Sequence, residues 1–305
     1  MSAVRLGTRR SALAVAQSRQ IADALTAHSG REVELVFITT TGDVSRESLS
    51  ALGGTGVFAS ALRDALLRGE IDIAVHSLKD LPTAAVPGLE IVALPTRDDP
   101  RDVLIARDGL TLDQLPVGST IGTGSPRRAA QLRALRPDIN IVDIRGNVDT
   151  RLGYVADGTV DAVVLAQAGL SRLGRLDAVT QVFEPTDMLP APGQGALAVE
   201  ARDAGLDDDL QISLRSLDDA ATRGAVTAER AVLAALEAGC SAPVGALAVV
   251  DKPGFTEPEL HLAALIAATD GSTVRRLSIT ATVTDAETAG RQLAERLLSD
   301  GVVVS

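Results

Sequence analysis

The chain has 305 residues and a formal net charge of -11 at pH 7, which argues against a nucleic-acid partner because phosphate binding depends on clustered Lys and Arg. One Cys excludes an internal disulfide, and three scattered His give no metal-binding spacing. No apolar run reaches the length of a signal-peptide core or a membrane span, which predicts a cytoplasmic protein.

The first third of the chain alternates strands with helices. Val4–Thr8 is typical of a strand, and Ser11 can cap the helix that follows, whose apolar positions recur at helical spacing. The pattern then predicts, in chain order, a strand at Glu34–Thr40, a helix at Phe58–Leu67, and strands at Ile71–His76 and Leu89–Leu94. Strands separated by helices indicate a parallel, wound α/β sheet.

A second unit of the same kind is predicted after a turn at Asp98–Asp102. Its elements are the strand Thr120–Gly122, the helix Pro126–Arg136, the strand Ile139–Ile144, the helix Val148–Ala156 and the strand Ala162–Ala166. Its opening, TIGTGSPRRAAQLRAL, is similar to RLGTRRSALAVAQSRQI near the start of the chain. This similarity suggests two related α/β lobes, with chance recurrence of a common strand-to-helix turn as the alternative.

The last part of the chain has a different pattern. The segment MLPAPGQGALAVEA is rich in Pro and Gly, predicts a crossing between the lobes, and returns to a strand at Ala196–Glu200. A helix at Ala221–Glu237, strands near 244–250, 259–268 and 273–283, and a helix from Asp285 to Leu298 predict a small α+β domain. The expected domains are residues 1–95 with 196–214, residues 96–195, and residues 215–305.

Basic side chains collect just after predicted strands, where open parallel sheets bind ligands. Ser125 is a good N-cap and Pro126 fits the first helical position, so free N–H groups and the positive helix end face an anion. Arg127 and Arg128 add forked donors for carboxylates and Thr123 adds a hydroxyl, with a solvated basic turn as the alternative. Three further clusters have this placement: Arg9 with Ser11, Arg145 with Arg151, and Arg172. For each arginine the alternative is an ordinary surface charge.

Two other places carry chemically useful side chains. The predicted strand in IDIAVHSLKDLPT ends in Ser77, Lys79 and Asp80, where Lys79 can bind an anion and Asp80 can stabilise a cation. The alternative is a helix-start Asp beside a solvated Lys, and His76 receives only a supporting role. Cys240 follows the helix-ending Gly239 on a turn, where its reactivity would depend on its pKa, whereas most free Cys residues are buried and inert.

Seven motifs, in order along nearly the whole chain, resemble the porphobilinogen deaminase family. They are RLGTRRSALA, HSLKDLPT, DPRDVLIARDG, IGTGSPRRAAQL, IRGNVDTRL, LPAPGQGALAVE and LEAGCSAPVGA. The resemblance implies two periplasmic-binding-protein-like α/β lobes around a cleft, plus a small C-terminal α+β domain. It also implies a monomer that joins four porphobilinogen units on a covalent dipyrromethane, with loss of ammonia, and releases hydroxymethylbilane for haem biosynthesis.

The resemblance implies roles for individual residues as well. Asp80 matches the catalytic aspartate, which would stabilise the azafulvenium cation formed as ammonia leaves, and Cys240 matches the cysteine that holds the cofactor by a thioether. The cofactor's carboxylates would be held by Ser77, Lys79, Thr123, Ser125, Arg127 and Arg128. The incoming substrate and the displaced chain would be received by Arg9, Ser11, Arg145, Arg151 and Arg172.

One loop departs from the family pattern. Many members carry lysines where this chain has Ala51 and Thr55, so no residue of the Gly42–Gly56 loop is assigned to the site, although Phe58 after it does match. Three alternatives stay open: a solute-binding protein, the effector half of a transcriptional regulator, and a non-catalytic relative of the deaminase. Missing export signals count against the first, the lack of a basic helix-turn-helix against the second, and intact Asp80 and Cys240 against the third.

Overall fold

The computed structural model describes residues 3–39, 56–236, 243–251 and 258–299. The chain divides into two compact units, Met1–Arg97 with Ala196–Arg223, and Asp98–Gly195 with Gly224–Ser305. Within the described ranges every helix is too short or too polar to cross a bilayer. The three domain boundaries expected from the sequence stay a prediction.

Strands and helices alternate through the first two thirds of the chain. The elements up to residue 97 are β1 (Val4–Thr8), α1 (Ala12–Ser29), β2 (Val33–Phe37), α2 (Gly56–Leu67), β3 (Ile73–Ser77) and β4 (Leu89–Ala93). Those of residues 98–195 are β5 (Asp102–Ala106), β6 (Thr120–Gly122), α3 (Pro126–Leu135), β7 (Asn140–Val142), α4 (Val148–Ala156), β8 (Ala162–Ala166), α5 (Gln167–Arg172) and β9 (Gln181–Val182).

The remaining third consists of one more strand, two helices, a three-stranded antiparallel sheet and a final helix. Its elements are β10 (Leu197–Arg202), α6 (Asp208–Arg215), α7 (Ala220–Ala235), β11 (Val244–Val250), β12 (Glu259–Ala267), β13 (Val274–Thr282) and α8 (Ala286–Leu298).

The first unit is built on a five-stranded sheet of order β2-β1-β3-β10-β4. β1 runs parallel to both β2 and β3, as predicted, but β10 runs antiparallel to β3 and to β4. The predicted parallel, wound sheet is therefore parallel at β1, β2 and β3 and becomes mixed where β10 joins it. A parallel neighbour needs a crossover within the unit, whereas β10 receives the chain as it returns from residue 195.

The second unit contains a similar sheet of order β7-β6-β8-β5-β9. β6 is parallel to β7 and β8, and β5 is antiparallel to β8 and β9. A turn was predicted at Asp98–Asp102, but β5 starts at Asp102 and is buried along its whole length. The two-residue β9 and the helices α5 and α6 were not predicted either.

A third, antiparallel sheet of order β11-β12-β13 completes the second unit. Apolar residues of α7 and α8, among them Val232 and Leu293, form one buried cluster with alternate residues of β11 and β12. Two α/β sheets and a small C-terminal α+β layer are the predicted fold class, which is confirmed.

Both predicted serine caps are present at the strand-to-helix turns. Ser11 Oγ accepts from Ala14 N at 3.3 Å at the start of α1, and Ser125 Oγ accepts from Arg128 N at 3.4 Å at the start of α3. Each cap satisfies one of the N–H groups that have no partner within the first helical turn. The two similar segments identified in the sequence therefore fold in the same local way.

Candidate functional site

A pocket in the first unit lies beside the carboxyl ends of β1 and β3. Three of the predicted site residues, Arg9, Ser77 and Asp80, line it together with Gln17 and His76. Because β1 and β3 are parallel neighbours, the residues that follow them reach the same edge of the sheet. The other described residues of the lining are apolar: Ala14, Ala59, Leu62, Val75 and Leu81.

The polar side chains of this pocket differ in exposure. Asp80 is exposed at the end of a short 3-10 helix, Leu78–Asp80, while Ser77 and Arg9 are half-buried. Gln17, from the buried face of α1, donates from Nε2 to Ser77 Oγ at 2.8 Å. The side chain of Asp80 is therefore exposed to solvent, whereas the hydroxyl of Ser77 is held by its hydrogen bond with Gln17.

Gln17 was not predicted as a site residue, although the sequence carries a signal for it. It stands between Leu13 and Ile21 at intervals of four residues, which places a polar side chain on the apolar stripe of α1. A buried polar group needs a hydrogen-bond partner. The partner is Ser77, which only the folded sheet brings near.

Beside the pocket, His76 belongs to a buried cluster of charged and titratable groups. Its Nε2 lies 3.2 Å from Glu200 Oε2, and Arg63 donates from Nε to both oxygens of Glu200 at 3.0 and 3.1 Å. Burial alone would raise the pKa of Glu200, but contacts with His76 and Arg63 hold that pKa below its usual range. Glu200 is therefore a buried, ionised carboxylate.

Two predicted residues of the first unit lie outside the pocket lining. Ser11 is engaged as the cap of α1. Lys79 is half-buried in the Leu78–Asp80 turn next to Asp80. Their proposed contacts with carboxylates stay predictions.

In the second unit, the turn between β6 and α3 carries the predicted hydroxyls. Thr123 is buried, and its Oγ1 accepts from Ser125 N at 3.2 Å, while Ser125 caps α3. In the first turn of α3, Pro126 has no N–H, Arg128 N donates to Ser125 Oγ and Ala129 N donates to Ser125 O. What remains for a ligand is mainly the positive end of the helix dipole. This arrangement fits an anion.

Arg127 and Arg128 are buried rather than solvated, with 3% and 5% of their surfaces exposed, so the alternative of a solvated basic turn is wrong. Asp102, at the start of β5, accepts from Arg127 Nη1 at 2.7 Å and from Arg128 Nε and Nη2 at 3.0 and 2.7 Å. Arg127 Nη1 also donates to Leu189 O and Arg128 Nη1 to Val164 O. Two guanidinium groups thus share one buried carboxylate.

The pKa values in this cluster follow from burial and pairing. Burial alone would raise the pKa of Asp102, but attraction to Arg127 and Arg128 outweighs it and holds that pKa far below the usual range. Burial lowers the pKa of Arg127, and Arg128 lowers it further, against the attraction of Asp102. Gln194 Nε2 adds a donor to Asp102 at 2.9 Å.

Asp102 and Gln194 were not recognised from the sequence. The signal for Asp102 is an acidic residue that opens the otherwise apolar strand DVLIA, which is unusual unless a cation lies nearby. Gln194 lies in the Pro- and Gly-rich crossing segment, whose side-chain contacts no local pattern predicts.

Arg145 and Arg151 extend the positive charge around α3. Burial lowers the pKa of Arg151, and the like charges of Arg128 and Arg145 lower it further, against the attraction of Asp143. Arg151 Nε donates to Gly146 O at 2.9 Å, whereas the exposed Arg145 lies 3.4 Å from Asp143. The structure therefore brings predicted basic residues close enough to repel one another, and an anionic ligand would relieve that repulsion.

Arg172 contacts the two ends of the segment Asp98–Gly195 of the second unit. Its Nη2 donates to Gly195 O at 2.7 Å and forms an ion pair with Asp98 Oδ2 at 2.7 Å. Burial lowers the pKa of Arg172 despite Asp98. Its observed partners belong to the protein, so substrate binding by Arg172 stays a prediction.

Several sequence expectations lie outside the described residues. These are the cofactor attachment at Cys240, the loop positions Ala51 and Thr55, and the side chain of Phe58.

The second unit has features that fit a ligand bearing several carboxylates. Among the described residues, the buried Nε groups of Arg127 and Arg172 find no hydrogen-bond acceptor. The cluster of Arg127, Arg128 and Asp102 carries one net positive charge, to which Arg151 adds another. Guanidinium groups are suited to carboxylates, so these residues fit the acidic arms of a dipyrromethane.

Comparisons with known proteins match nearly the whole chain. Residues 4–211 match the family described as "Porphobilinogen deaminase, dipyromethane cofactor binding domain", and residues 224–299 match "Porphobilinogen deaminase, C-terminal domain". A protein of Thermobifida fusca named "Porphobilinogen deaminase" is 58% identical over 97% of this chain and 93% of its own length. "Porphobilinogen deaminase 1" of Streptomyces coelicolor is 58% identical over 98% of this chain and 96% of its own length.

Among solved structures, a TRAP periplasmic solute binding protein from Desulfovibrio salexigens is similar at a TM-score of 0.43 with 11% identity. The similarity covers 71% of this chain and 72% of that chain.

Proposed function

The chain belongs to the porphobilinogen deaminase family, and on that premise we propose that it is a transferase of the hydroxymethylbilane synthase type. It is an enzyme of tetrapyrrole biosynthesis with a small-molecule substrate and a dipyrromethane cofactor. The proposed reaction joins porphobilinogen units in sequence, with loss of one ammonia at each addition. The family match favours this enzyme over a solute-binding protein.

The pocket of the first unit supports the catalytic part of the proposal most directly. It holds a carboxylate, Asp80, beside Arg9 and Ser77 at the edge of a sheet. Loss of ammonia from an aminomethylpyrrole leaves a positive ring, and a carboxylate near that ring stabilises it. At about 4 Å and an intermediate dielectric the attraction amounts to roughly 4 kcal/mol before desolvation is subtracted. Asp80 is therefore the proposed catalytic residue.

The basic residues are proposed to hold carboxylates. Each porphobilinogen unit carries an acetate and a propionate, so a growing chain gains negative charge with every addition. When bound, the dipyrromethane supplies the pyrrole ring to which the first unit is joined. We assign its carboxylates to Ser77, Lys79, Thr123, Ser125, Arg127 and Arg128. We assign the substrate and the displaced chain to Arg9, Ser11, Arg145, Arg151 and Arg172.

The proposal includes a covalent link to Cys240, a monomeric state and a cytoplasmic location. Intact-mass measurement of the purified protein should show an adduct of dipyrromethane mass. A Cys240→Ser protein should lack it, and the same adduct on that variant would contradict attachment at this sulfur. Light scattering should give the mass of one chain, 31.5 kDa.

The role of Asp80 is tested with Asp80→Asn, which removes the charge at constant size. We expect the variant to keep the cofactor adduct and to consume porphobilinogen at least about a hundredfold more slowly, in line with the loss of other electrostatic stabilisers. Asp113→Asn is the matched control, because Asp113 is an exposed aspartate of another short 3-10 helix. Near-normal turnover by Asp80→Asn would remove Asp80 from the mechanism, whereas no turnover by the wild type would favour the non-catalytic relative.

A further inference from the structure

We propose that His76 is a second catalytic residue, which accepts the proton released when each new carbon–carbon bond is formed. The inference rests on the proposed function and concerns the same pocket. His76 lines that pocket together with Asp80, although only 7% of its surface is exposed. A titratable ring at the wall of a reaction pocket is placed to exchange a proton with what the pocket holds.

The tautomer of His76 follows from its contact with Glu200. The buried Nε2 lies 3.2 Å from Glu200 Oε2, an electrostatic contact rather than a well-aligned hydrogen bond. An ionised carboxylate can only accept, so the ring hydrogen belongs on Nε2. Nδ1 then carries the lone pair and is the nitrogen left for the pocket. A carboxylate that orients one ring nitrogen while the other reacts is a recurring arrangement in proton-transferring sites.

The charge of Glu200 is compensated without His76. Arg63, from α2, already compensates Glu200, from β10, so the carboxylate does not need a protonated imidazole as its counter-ion. The other charged side chains that line the pocket are Arg9 after β1 and Asp80 after β3, and α1 contributes the neutral Gln17. Lys79 lies next to Asp80 in the chain, outside the lining. Once His76 becomes cationic, Glu200 stabilises it.

The chemistry balances without an added reagent. The carbon–nitrogen bond of the protonated aminomethyl group breaks, and its electron pair leaves with ammonia. The methylene carbon then bonds to the free α-carbon of the terminal pyrrole of the growing chain. That carbon must lose its hydrogen, whose bonding pair returns to the ring. His76 Nδ1 takes this proton and passes it to the released ammonia, so each addition yields one ammonium ion.

The test is His76→Gln in the cofactor-loaded enzyme, because a glutamine can keep a donor toward Glu200 but cannot accept the proton. We expect kcat to fall at least about a hundredfold, with KM within about twofold of wild type and with the cofactor adduct retained. The acidic limb of the pH–rate profile that reports an imidazole should disappear. His261→Gln is the control, since His261 is exposed and paired with Asp251.

A second measurement tests the tautomer independently of turnover. The chain has three His, so ¹⁵N spectra of histidine-labelled protein are assigned with His261→Gln and His28→Gln variants. We expect hydrogen on Nε2 of His76 and a free Nδ1 at neutral pH. Glu200→Gln should weaken this preference, because it removes the negative charge that favours hydrogen on Nε2.

The outcomes separate the two proposals. If wild-type protein does not consume porphobilinogen, the proposed function fails. If wild type is active but His76→Gln keeps kcat within about threefold and an unchanged pH profile, the role of His76 alone is overturned. Hydrogen on Nδ1 in the wild-type spectra would also overturn it, even if the variant does not fold.

Discussion

Asp102 illustrates how one residue sets the properties of several others. It is fully buried and binds both Arg127 and Arg128, which the sequence indicated only as a basic pair after a serine cap. Removing one partner of a buried ion pair is costly, because the remaining charge stays buried without compensation. Asp102 is therefore both a stabilising residue of the second unit and a positioning residue for two proposed cofactor ligands.

We predict that Asp102→Asn lowers the free energy of unfolding by about 3–5 kcal/mol, as for other broken buried ion pairs. Two buried guanidinium groups would lose their shared counter-charge. Urea unfolding, compared with Asp113→Asn as an exposed control, measures the difference. Equal midpoints for the two variants would show that Asp102 is dispensable for stability.

The same residue predicts a pH dependence. Its folded-state pKa is far below the unfolded value of about 3.9. The stability it contributes is therefore present above that value and is lost as the pH falls toward the folded-state pKa. Acid unfolding of the wild type should steepen below about pH 4, and Asp102→Asn should show a shallower acid dependence. Parallel acid-unfolding curves for the two proteins would contradict this.

At the scale of elements, the crossing segment before β10 depends on a glycine. Gly195 has a φ of +88°, and a Cβ there would overlap the carbonyl oxygen of Asp98. Gly205 has nearly the same φ, +89°, but nothing within 4 Å of an added Cβ. The two positions therefore separate backbone strain from steric overlap.

We predict that Gly205→Ala costs about 1 kcal/mol, from the left-handed backbone alone, and that Gly195→Ala costs at least about 2 kcal/mol more. Thermal unfolding of both variants measures the difference. If both variants unfolded at the same temperature, steric overlap at Gly195 would not be the deciding factor. Because Arg172 also binds Gly195 O, the Gly195 variant should lose more activity than its stability loss explains.

The helices and strands show what local pattern could predict and what it could not. Periodicity and caps identified α1, α3 and most strands within a few residues, because those signals are local. The antiparallel direction of β10 and the existence of β5 were not predicted, since both depend on where the chain returns from distant segments. For the site, Asp80 and Arg9 were brought into one pocket as the strand-end rule predicts. Gln17 and Asp102 owe their roles to partners 60 and 25–26 residues away.

At the scale of the whole molecule, cofactor loading should be visible in stability. We predict that the Cys240→Ser protein, lacking its acidic cofactor, melts below the loaded wild type by about 2–4 °C for each kcal/mol of lost binding. Differential scanning calorimetry of both proteins measures this. A loaded Asp113→Asn protein controls for substitution itself, and an unloaded protein that melts at the wild-type temperature would contradict the prediction.

The shared carboxylate between Arg127 and Arg128 has a thermodynamic consequence for the way the protein matures. The buried cluster of Arg127, Arg128 and Asp102 carries one positive charge in excess. The carboxylates of the proposed cofactor would neutralise it. The contacts of the attached cofactor exist in the folded chain and not in the unfolded one, so loading stabilises the fold. Chains without the cofactor should form the less stable fraction of any preparation, and a protease should digest that fraction first.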